Sequence, residues 1–232
     1  NKPTPASVVV TRPDQLPADT LVTYPPTERL FVTFEVAEAA INLNQPFADG
    51  PLVTVHPHGS FAIILDRAVI QRGQPSYSLR KWTPVQGWGI ERRVSVRPKP
   101  ISRSEVDSAL AGMQGGASRI GPGADIPLDA LRSHLYKPIY HPPVAEARIT
   151  SDSAVWIRTI EEGSGVSGFA TWTVFNAQLE IVRTVRVPDG ASVLDAEKDY
   201  VWAVQKDTLD VPAVVRFRLT RSKAGSAAFP KP

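Results

Sequence analysis

The sequence predicts an all-β protein built from short antiparallel strands. Proline accounts for 22 of the 232 residues, and most prolines stand between apolar runs. Because proline is confined to turns and to the ends and edges of strands, this distribution indicates many short elements rather than long helices. Hydrophobic residues make up 42% of the chain and charged residues 21%, so the chain can bury a sizeable core.

A repeated pattern of strands supports this fold class. Residues 153–160, SAVWIRTI, are echoed by residues 199–206, DYVWAVQK, and each run contains a tryptophan. The basic run RVSVRP at 93–98 is likewise echoed by RTVRVP at 183–188. The echoes define a module of about 40 to 46 residues, a length typical of propeller blades. We therefore predict propeller-like blades of antiparallel strands that form a partial or incomplete propeller.

The pattern divides the chain into five segments. Residues 1–50 are predicted to form an N-terminal extended or strand segment, and residues 51–100 a first blade-like sheet. Residues 101–143 interrupt the pattern and are predicted to be a small two-helix insertion. Residues 144–220 are predicted to form two further blade-like sheets, and the low-complexity residues 221–232 a mobile tail.

The first predicted helix has clear start and stop signals. Ser102 or Ser104 is the candidate N-cap, with Glu105 in the first turn. The pair Gly115–Gly116 is expected to end the helix. Its apolar residues fall at helical spacing and are Val106, Ala109, Leu110 and Met113.

The second predicted helix follows in ADIPLDALRSHLY. Asp125 is its candidate N-cap, and Pro127 falls in its first turn. Its predicted apolar face consists of Leu128, Leu131 and Leu135.

Basic residues alternate with apolar residues on several predicted strands. In PAVVRFRLTR, Val215, Phe217 and Leu219 share one face, whereas Arg216 and Arg218 share the other. The predicted partner-binding residues are Arg92, Arg93, Arg183, Arg186, Arg216 and Arg218. On outer blade edges they would face an acidic protein surface or anionic lipid headgroups. The alternative is that these charges only discourage edge-to-edge aggregation.

The histidines do not form a recognisable metal motif. His56 and His58 in VHPHG are two possible ligands, whereas a zinc site normally takes three or four. The remaining histidines, His134 and His141, fall in the predicted insertion, and a carboxylate such as Asp66 would complete a set only if the fold brought it close. We therefore predict no metal and interpret VHPHG as a turn in which Gly59 has a positive φ.

Two glycine-rich segments lack the motifs of catalytic loops. Residues 115–123, GGASRIGPG, have no Gly-Lys-Ser/Thr ending, so a linker is favoured over a phosphate loop. Residues 163–168, GSGVSG, contain Ser164 and Ser167 but do not match a nucleophile elbow, so a hairpin loop is favoured. The chain has no cysteine, which excludes disulfides and thiolate chemistry. We predict no catalytic residue and no cofactor.

Several long stretches together resemble a known family. They are PLVTVHPHGSF, ERRVSVRPKPISRSEVDSALAGM, YKPIYHPPVAEARITSDSAVWIRTI, TWTVFNAQLEIVRTVRVPDGASVL and YVWAVQKDTLDVPAVVRFRLTR. Over roughly residues 46–220 the chain resembles the C-terminal half of a bacterial family of secreted six-bladed β-propellers with NHL-like blades. The resemblance implies a propeller fold and a periplasmic or otherwise extracytoplasmic setting. Where such blades usually have Asp-Gly or Glu-Gly turns, this chain has His58–Gly59 and Asp152–Ser153.

The predicted function is that of a non-catalytic interaction or scaffold protein. An incomplete ring would leave strand edges and apolar faces that another protein must cover. The expected partner is a larger membrane complex, photosynthetic or respiratory for example, to which the chain would attach as an extrinsic subunit. No apolar stretch approaches the roughly 18 residues needed to span a bilayer. A net charge of +3 gives little reason to expect nucleic-acid binding.

Two other classes of function stay open at this stage. One is a propeller-type hydrolase or lactonase that uses a divalent metal ion, which needs several Asp, Asn, Glu or His side chains converging from different blades. The other is a propeller that binds sugars or peptides through the aromatic side chains of Tyr24, Tyr136 and Tyr140.

Overall fold

Antiparallel sheets make up most of the structure. The computed structural model describes residues 7–12, 15–23, 30–36, 39–67, 76–118, 126–162 and 168–220. Across these ranges there are fifteen strands in five antiparallel sheets, together with two α-helices. The predicted β class is therefore confirmed, and these residues do not close into a propeller ring.

The N-terminal part forms two hairpins. The first pairs β1 (Ser7–Arg12) with β2 (Gln15–Thr23). The second pairs β3 (Phe31–Val36) with β4 (Ala39–Asn44). The predicted strand segment over residues 1–50 thus contains four strands within its described residues.

Three larger sheets follow, each with its strands in chain order. The first sheet contains β5 (Leu52–Val55), β6 (Ala62–Asp66), β7 (Ser76–Thr83) and β8 (Gly87–Ser95). The middle sheet contains β9 (Val144–Ile149), β10 (Val155–Thr159), β11 (Phe169–Phe175) and β12 (Ile181–Pro188). The third sheet contains β13 (Ser192–Ala196), β14 (Tyr200–Lys206) and β15 (Pro212–Arg218).

The middle sheet is buried on both faces. One face contributes Val155, Ile157 and Phe175 to a core that also contains Ile63 and Leu79 of the first sheet. The opposite face packs against the third sheet in a second core, which includes Trp156, Trp172, Val185, Val193, Val201 and Ala203. Each large apolar side chain buried in this way contributes about 1.5–3 kcal/mol. The three sheets consequently stack face to face.

The sequence echoes fall on equivalent strands of this stack. Trp156 and Trp202 both lie on the second strand of their sheets, β10 and β14. The basic echoes begin at Arg93 on β8 and at Arg183 on β12, which are both fourth strands. Trp156 is fully buried and Trp202 half-buried, because the outer face of the third sheet is not covered by described residues.

The two helices pack on the β3–β4 hairpin. Helix α1 spans Arg103–Ser118 and α2 spans Leu128–His134. Their apolar residues share a separate core with the hairpin, and its buried members are Val32, Ile41, Leu43, Phe47, Leu110, Met113, Ile126, Leu131 and Leu135. The hairpin is therefore a platform for the helical insertion.

The structure corrects the predicted ends of both helices. Helix α1 continues through Gly115 to Ser118, because glycine weakens a helix by about 1 kcal/mol but does not remove its hydrogen bonds. The N-cap of α2 is Pro127 and no side chain caps it, while Asp125 lies outside the described residues. Leu128 is 38% exposed and does not share a buried face with Leu135, because the chain leaves the helix at His134.

A reciprocal cap starts α1. The backbone N–H of Ser102 donates to Glu105 Oε2 at 2.8 Å, and the N–H of Glu105 donates to Ser102 Oγ at 3.2 Å. Lys99 Nζ donates to Glu105 Oε1 at 2.8 Å, and His141 Nε2 lies 3.2 Å from the same oxygen. The bond from Lys99, followed by those from Ser102, holds the pKa of Glu105 well below its usual range.

Replacing the Glu105 carboxylate should destabilise the fold in a pH-dependent way. At neutral pH, Glu105→Gln should lower the free energy of unfolding by about 1 kcal/mol. Since the folded-state pKa of Glu105 is lowered, its stabilisation is complete above the unfolded pKa of about 4.3 and is lost as the pH falls. Urea titrations of the wild type and of Glu105→Gln at neutral and acidic pH would measure this effect. The difference between their free energies of unfolding should become smaller in acid. A constant difference would contradict a role for the charge.

Left-handed backbone recurs in the hairpin turns. The residues concerned are Gly59 in the β5–β6 turn, Ser153 in the β9–β10 turn, Leu179 in the β11–β12 turn and Asp210 in the β14–β15 turn. The N–H of Ser153 donates to Thr150 O at 2.9 Å, and the N–H of Gly59 donates to His56 O at 2.7 Å. The positive φ predicted for Gly59 is confirmed at 68°, and Ser153 takes the same conformation at 66°.

Glycine should therefore stabilise the turn at Ser153. Ser153→Gly should raise the free energy of unfolding by about 0.5–1 kcal/mol, because glycine adopts a positive φ without steric cost. Asp210→Gly, at φ 62°, should act in the same direction, whereas Leu179→Gly should cost about 2–5 kcal/mol by removing a fully buried side chain. Denaturant titrations would measure all three. Destabilisation by Ser153→Gly would mean that the hydroxyl matters more than the backbone.

Candidate protein-binding groove

A groove of about 880 Å³ lies between the middle and third sheets. One wall is strand β12 from Val182 to Pro188, together with Phe169 of the neighbouring strand. The other wall is formed by the β13–β14 turn, by Val201, and by the end of β15 and the residues that follow it, Phe217 to Thr220. The groove thus opens where the fourth strand of the middle sheet faces the edge of the third sheet. We call it the β12–β15 groove.

Basic residues predominate around this groove. Its described lining residues include Arg183, Arg186, Lys198 and Arg218, against one acidic residue, Asp199. Arg186 and Arg218 are exposed, and Arg183 is half-buried. The apolar part of the lining consists of Phe169, Val182, Val185, Val187, Val201, Phe217 and Leu219. A basic, partly apolar cleft of this kind favours a ligand that carries carboxylates beside apolar side chains.

Two groove arginines are held in place by the fold. Arg183 Nη1 donates to Lys198 O at 3.0 Å, and its guanidinium carbon lies 5.5 Å from the Trp156 ring centre. The guanidinium carbon of Arg186 lies 5.0 Å from the Phe169 ring centre. These contacts within the protein restrict the rotamers of both arginines, so each side chain loses little conformational entropy when it binds a ligand.

The other predicted arginines lie elsewhere. Arg216 is on the outer face of the third sheet, with its guanidinium carbon 4.6 Å from the Tyr200 ring centre and 5.5 Å from that of Trp202. Arg92 and Arg93 are exposed on β8, in the first sheet. Arg183, Arg186 and Arg218 thus all lie on strands that border the groove, and the other three lie outside it. Of the three, only Arg183 has its side chain on the face of β12 that packs against the third sheet, since Arg186 pairs with Thr171 on the opposite face and Arg218 is on the outer face of β15.

Sequence reasoning missed Lys198, Asp199 and Phe169. Lys198 and Asp199 stand in the turn between β13 and β14, in the run DAEKDY. Their polarity indicates an exposed turn, which is a weak signal for a site. The contribution of the turn depends on how the third sheet packs against β12, and the local sequence does not carry that information.

The four histidines lie in three separate places. His134 packs edge-on against Phe34 with ring centres 5.5 Å apart, and His141 contacts Glu105. His56 and His58 share the β5–β6 turn, with ring centres 5.5 Å apart. Within the described ranges, no three His, Asp or Glu side chains form a group that could hold a metal ion.

His56 links the turns of the first and middle sheets. Its Nδ1 lies 2.9 Å from Ser60 Oγ and accepts the backbone N–H of His58 at 3.3 Å. Its other ring nitrogen, Nε2, lies 3.3 Å from Ser153 Oγ. The imidazole thus connects the β5–β6 turn to the β9–β10 turn.

The other residues that the sequence analysis considered as site candidates either have structural contacts or lie outside the described residues. Gly115 belongs to the last turn of α1, whereas residues 119–125, Ser164, Ser167 and Tyr24 lie outside the described residues. Tyr136 Oη donates to Asp49 Oδ2 at 2.9 Å, which ties the end of the helical insertion to the loop after β4. Tyr140 is half-buried, and its backbone forms an isolated antiparallel β-bridge with Pro100.

Comparison with known proteins identifies no family for this chain. No protein-family model matches it, and no curated protein has a matching sequence. The resemblance to secreted propellers stays a prediction. No helix in the described part of the chain combines the length and hydrophobicity required to cross a bilayer.

Mutation can show which of the predicted arginines stabilise the fold. Arg183→Gln should lower the free energy of unfolding by about 1–2 kcal/mol, because it removes the bond to Lys198 O and the contact with Trp156. Arg92→Gln and Arg93→Gln should each stay within about 0.5 kcal/mol of the wild type, since both side chains are exposed. Urea titration would measure the difference. Equal effects at the three positions would contradict the internal role of Arg183.

Proposed function

We propose that the protein is a non-catalytic interaction module that attaches to another protein subunit through the β12–β15 groove. The observation that carries this proposal is that Arg183, Arg186, Lys198 and Arg218 all border one partly apolar cleft. Charge of one sign in a concave surface attracts and orients a partner of opposite charge. The partner surface is accordingly acidic, with apolar side chains between its carboxylates.

The open end of the stack supports the same function. The outer face of the third sheet presents Trp202, half-buried, and Val214, which is 64% exposed. Leu194 on the neighbouring β13 and Val182 beside the groove are exposed as well. Exposed apolar side chains that adjoin a charged cleft are typical of protein-binding surfaces.

The three sheets serve as propeller-like blades of an incomplete ring, and the protein acts outside the cytoplasm as an extrinsic subunit of a membrane complex. The blade assignment is supported by the face-to-face stacking and by the equivalent positions of the sequence echoes. The setting and the kind of complex, photosynthetic or respiratory, are supported by the resemblance to secreted propellers. Anionic lipid headgroups next to the partner would add to the attraction of the basic residues.

Reversing two groove charges should release the protein from its native membranes. The double variant Arg186→Glu/Arg218→Glu should bind about tenfold more weakly than the wild type, because attraction becomes repulsion. High salt should likewise weaken membrane binding of the wild-type protein, because it screens the charges. Co-sedimentation with native membranes, followed by cross-linking to adjacent subunits, measures the effect.

The matched control is Arg92→Glu/Arg93→Glu, which makes the same change in charge on β8 and leaves the groove intact. It should sediment like the wild type. Release of the β8 variant alone would place the contact on the first sheet. Binding of both variants at wild-type strength would contradict a role for either basic surface.

A further inference from the structure

Within the described residues, the third sheet has one strand fewer than the first and middle sheets. The first and middle sheets each have four strands in chain order, whereas the third has three, with β15 at its edge. A fourth strand beside β15 would lie over β12, along the β12–β15 groove. Among the described residues, no strand takes this position.

The hydrogen-bond ladder shows which groups of β15 face the open edge. The N–H of Leu219 donates to Asp199 O at 2.7 Å, and the N–H of Asp207 donates to Val211 O at 3.1 Å. In an antiparallel pair such bonded positions alternate along each strand. The N–H and C=O groups of Val214, Arg216 and Arg218 therefore point away from β14, toward the place of a fourth strand.

The side chains around this edge indicate the chemistry of the missing strand. A residue opposite Arg216 or Arg218 would have its side chain on the same face as those arginines, and opposite charges in such pairs are favourable. Residues between them would point into the groove, next to Phe217 and Leu219. The first sheet already has this kind of pair, since Arg80 of its third strand faces Glu91 of its fourth.

We propose that an extended segment of the partner protein, with acidic and apolar residues in alternation, binds antiparallel to β15 as the fourth strand of the third sheet. The acidic side chains pair with Arg216 and Arg218 on the outer face of β15, and the apolar ones fill the groove beside Phe217 and Val185. Main-chain hydrogen bonds supply the affinity, and the alternating side chains supply the specificity. This inference rests on the proposed function and specifies how the partner is held.

A synthetic peptide tests the binding mode directly. The probe is an acetylated, amidated peptide of about nine residues that alternates glutamate and valine, slightly longer than β15. It is titrated into the ¹⁵N-labelled full chain, and NMR follows the backbone amides. Binding should shift the amides of Val214, Arg216 and Arg218, and leave those of Arg92 and Arg93 unchanged. A peptide with lysine in place of glutamate should bind about tenfold more weakly.

Backbone methylation of the peptide separates strand pairing from charge attraction. Residues opposite Arg216 and Arg218 direct their own N–H groups at β15, and these are the glutamates. Methylating the glutamate nitrogens should weaken binding about tenfold or more, whereas methylating the valine nitrogens should have little effect. Equal binding of the two methylated peptides would overturn strand addition. The protein is unchanged in this comparison, so its folding does not affect the result.

A proline substitution on β15 tests strand pairing by removing a main-chain donor of the protein instead of one of the peptide. Val214→Pro removes an N–H that faces the open edge and leaves the bonds to β14 in place, whereas Val214→Ala only shortens an exposed side chain. The proline variant should lose about tenfold in peptide affinity and the alanine variant should lose little. A wild-type dimer that Val214→Pro converts to a monomer, seen by light scattering, would show that a second copy pairs with β15 and would overturn the proposal.

The outcomes distinguish this inference from the proposed function. Membrane association that is lost in Arg186→Glu/Arg218→Glu but unaffected by Val214→Pro would leave the interaction function standing and reject strand addition. Membrane association that survives both variants, together with a peptide that fails to bind, would reject both proposals.

Discussion

The burial of both faces of the middle sheet is the constraint on which the rest of the structure depends. Trp156 and Trp172 are fully buried on one face, with ring centres 6.3 Å apart, and Ile157 and Phe175 are fully buried on the other. A sheet with two apolar faces needs a covering layer on each side. The first and third sheets supply these layers, so the position of each is determined by the middle sheet.

The same constraint places the candidate site at the end of the stack. The third sheet uses one face to cover Trp156 and Trp172, and its other face has no covering layer among the described residues. In the part of the chain that the structure describes, this sheet has three strands and packs on a sheet of four, so no strand of the third sheet covers β12. The groove and the exposed apolar side chains around it, such as Val182, are therefore direct consequences of the difference in strand number.

The sequence predicts local features well and long-range packing poorly. Period-two alternation correctly places Val215, Phe217 and Leu219 on the packed face of β15, because that signal depends only on the pleat. The sequence marks the turn at Ser153 only by the pair Asp152–Ser153, which stands where propeller blades usually have Asp-Gly. That β12 and β15 border the same groove depends on how two sheets stack, and no local pattern encodes it. Arg92, which has the same kind of sequence signal, consequently lies far from the groove on β8.

The internal contacts of the groove arginines strengthen the argument for a binding site. A long side chain that is free in solution loses rotamer entropy when it meets a partner, at a cost of about 0.5–1.5 kcal/mol. Arg183 already bonds to Lys198 O, and Arg186 already lies over Phe169, so much of this ordering occurs when the protein folds. Structural contact and partner binding are therefore compatible roles for these two residues. An isolated surface charge such as Arg93 has no described ring contact or ion pair of this kind, and it would bear the full entropic cost at the interface.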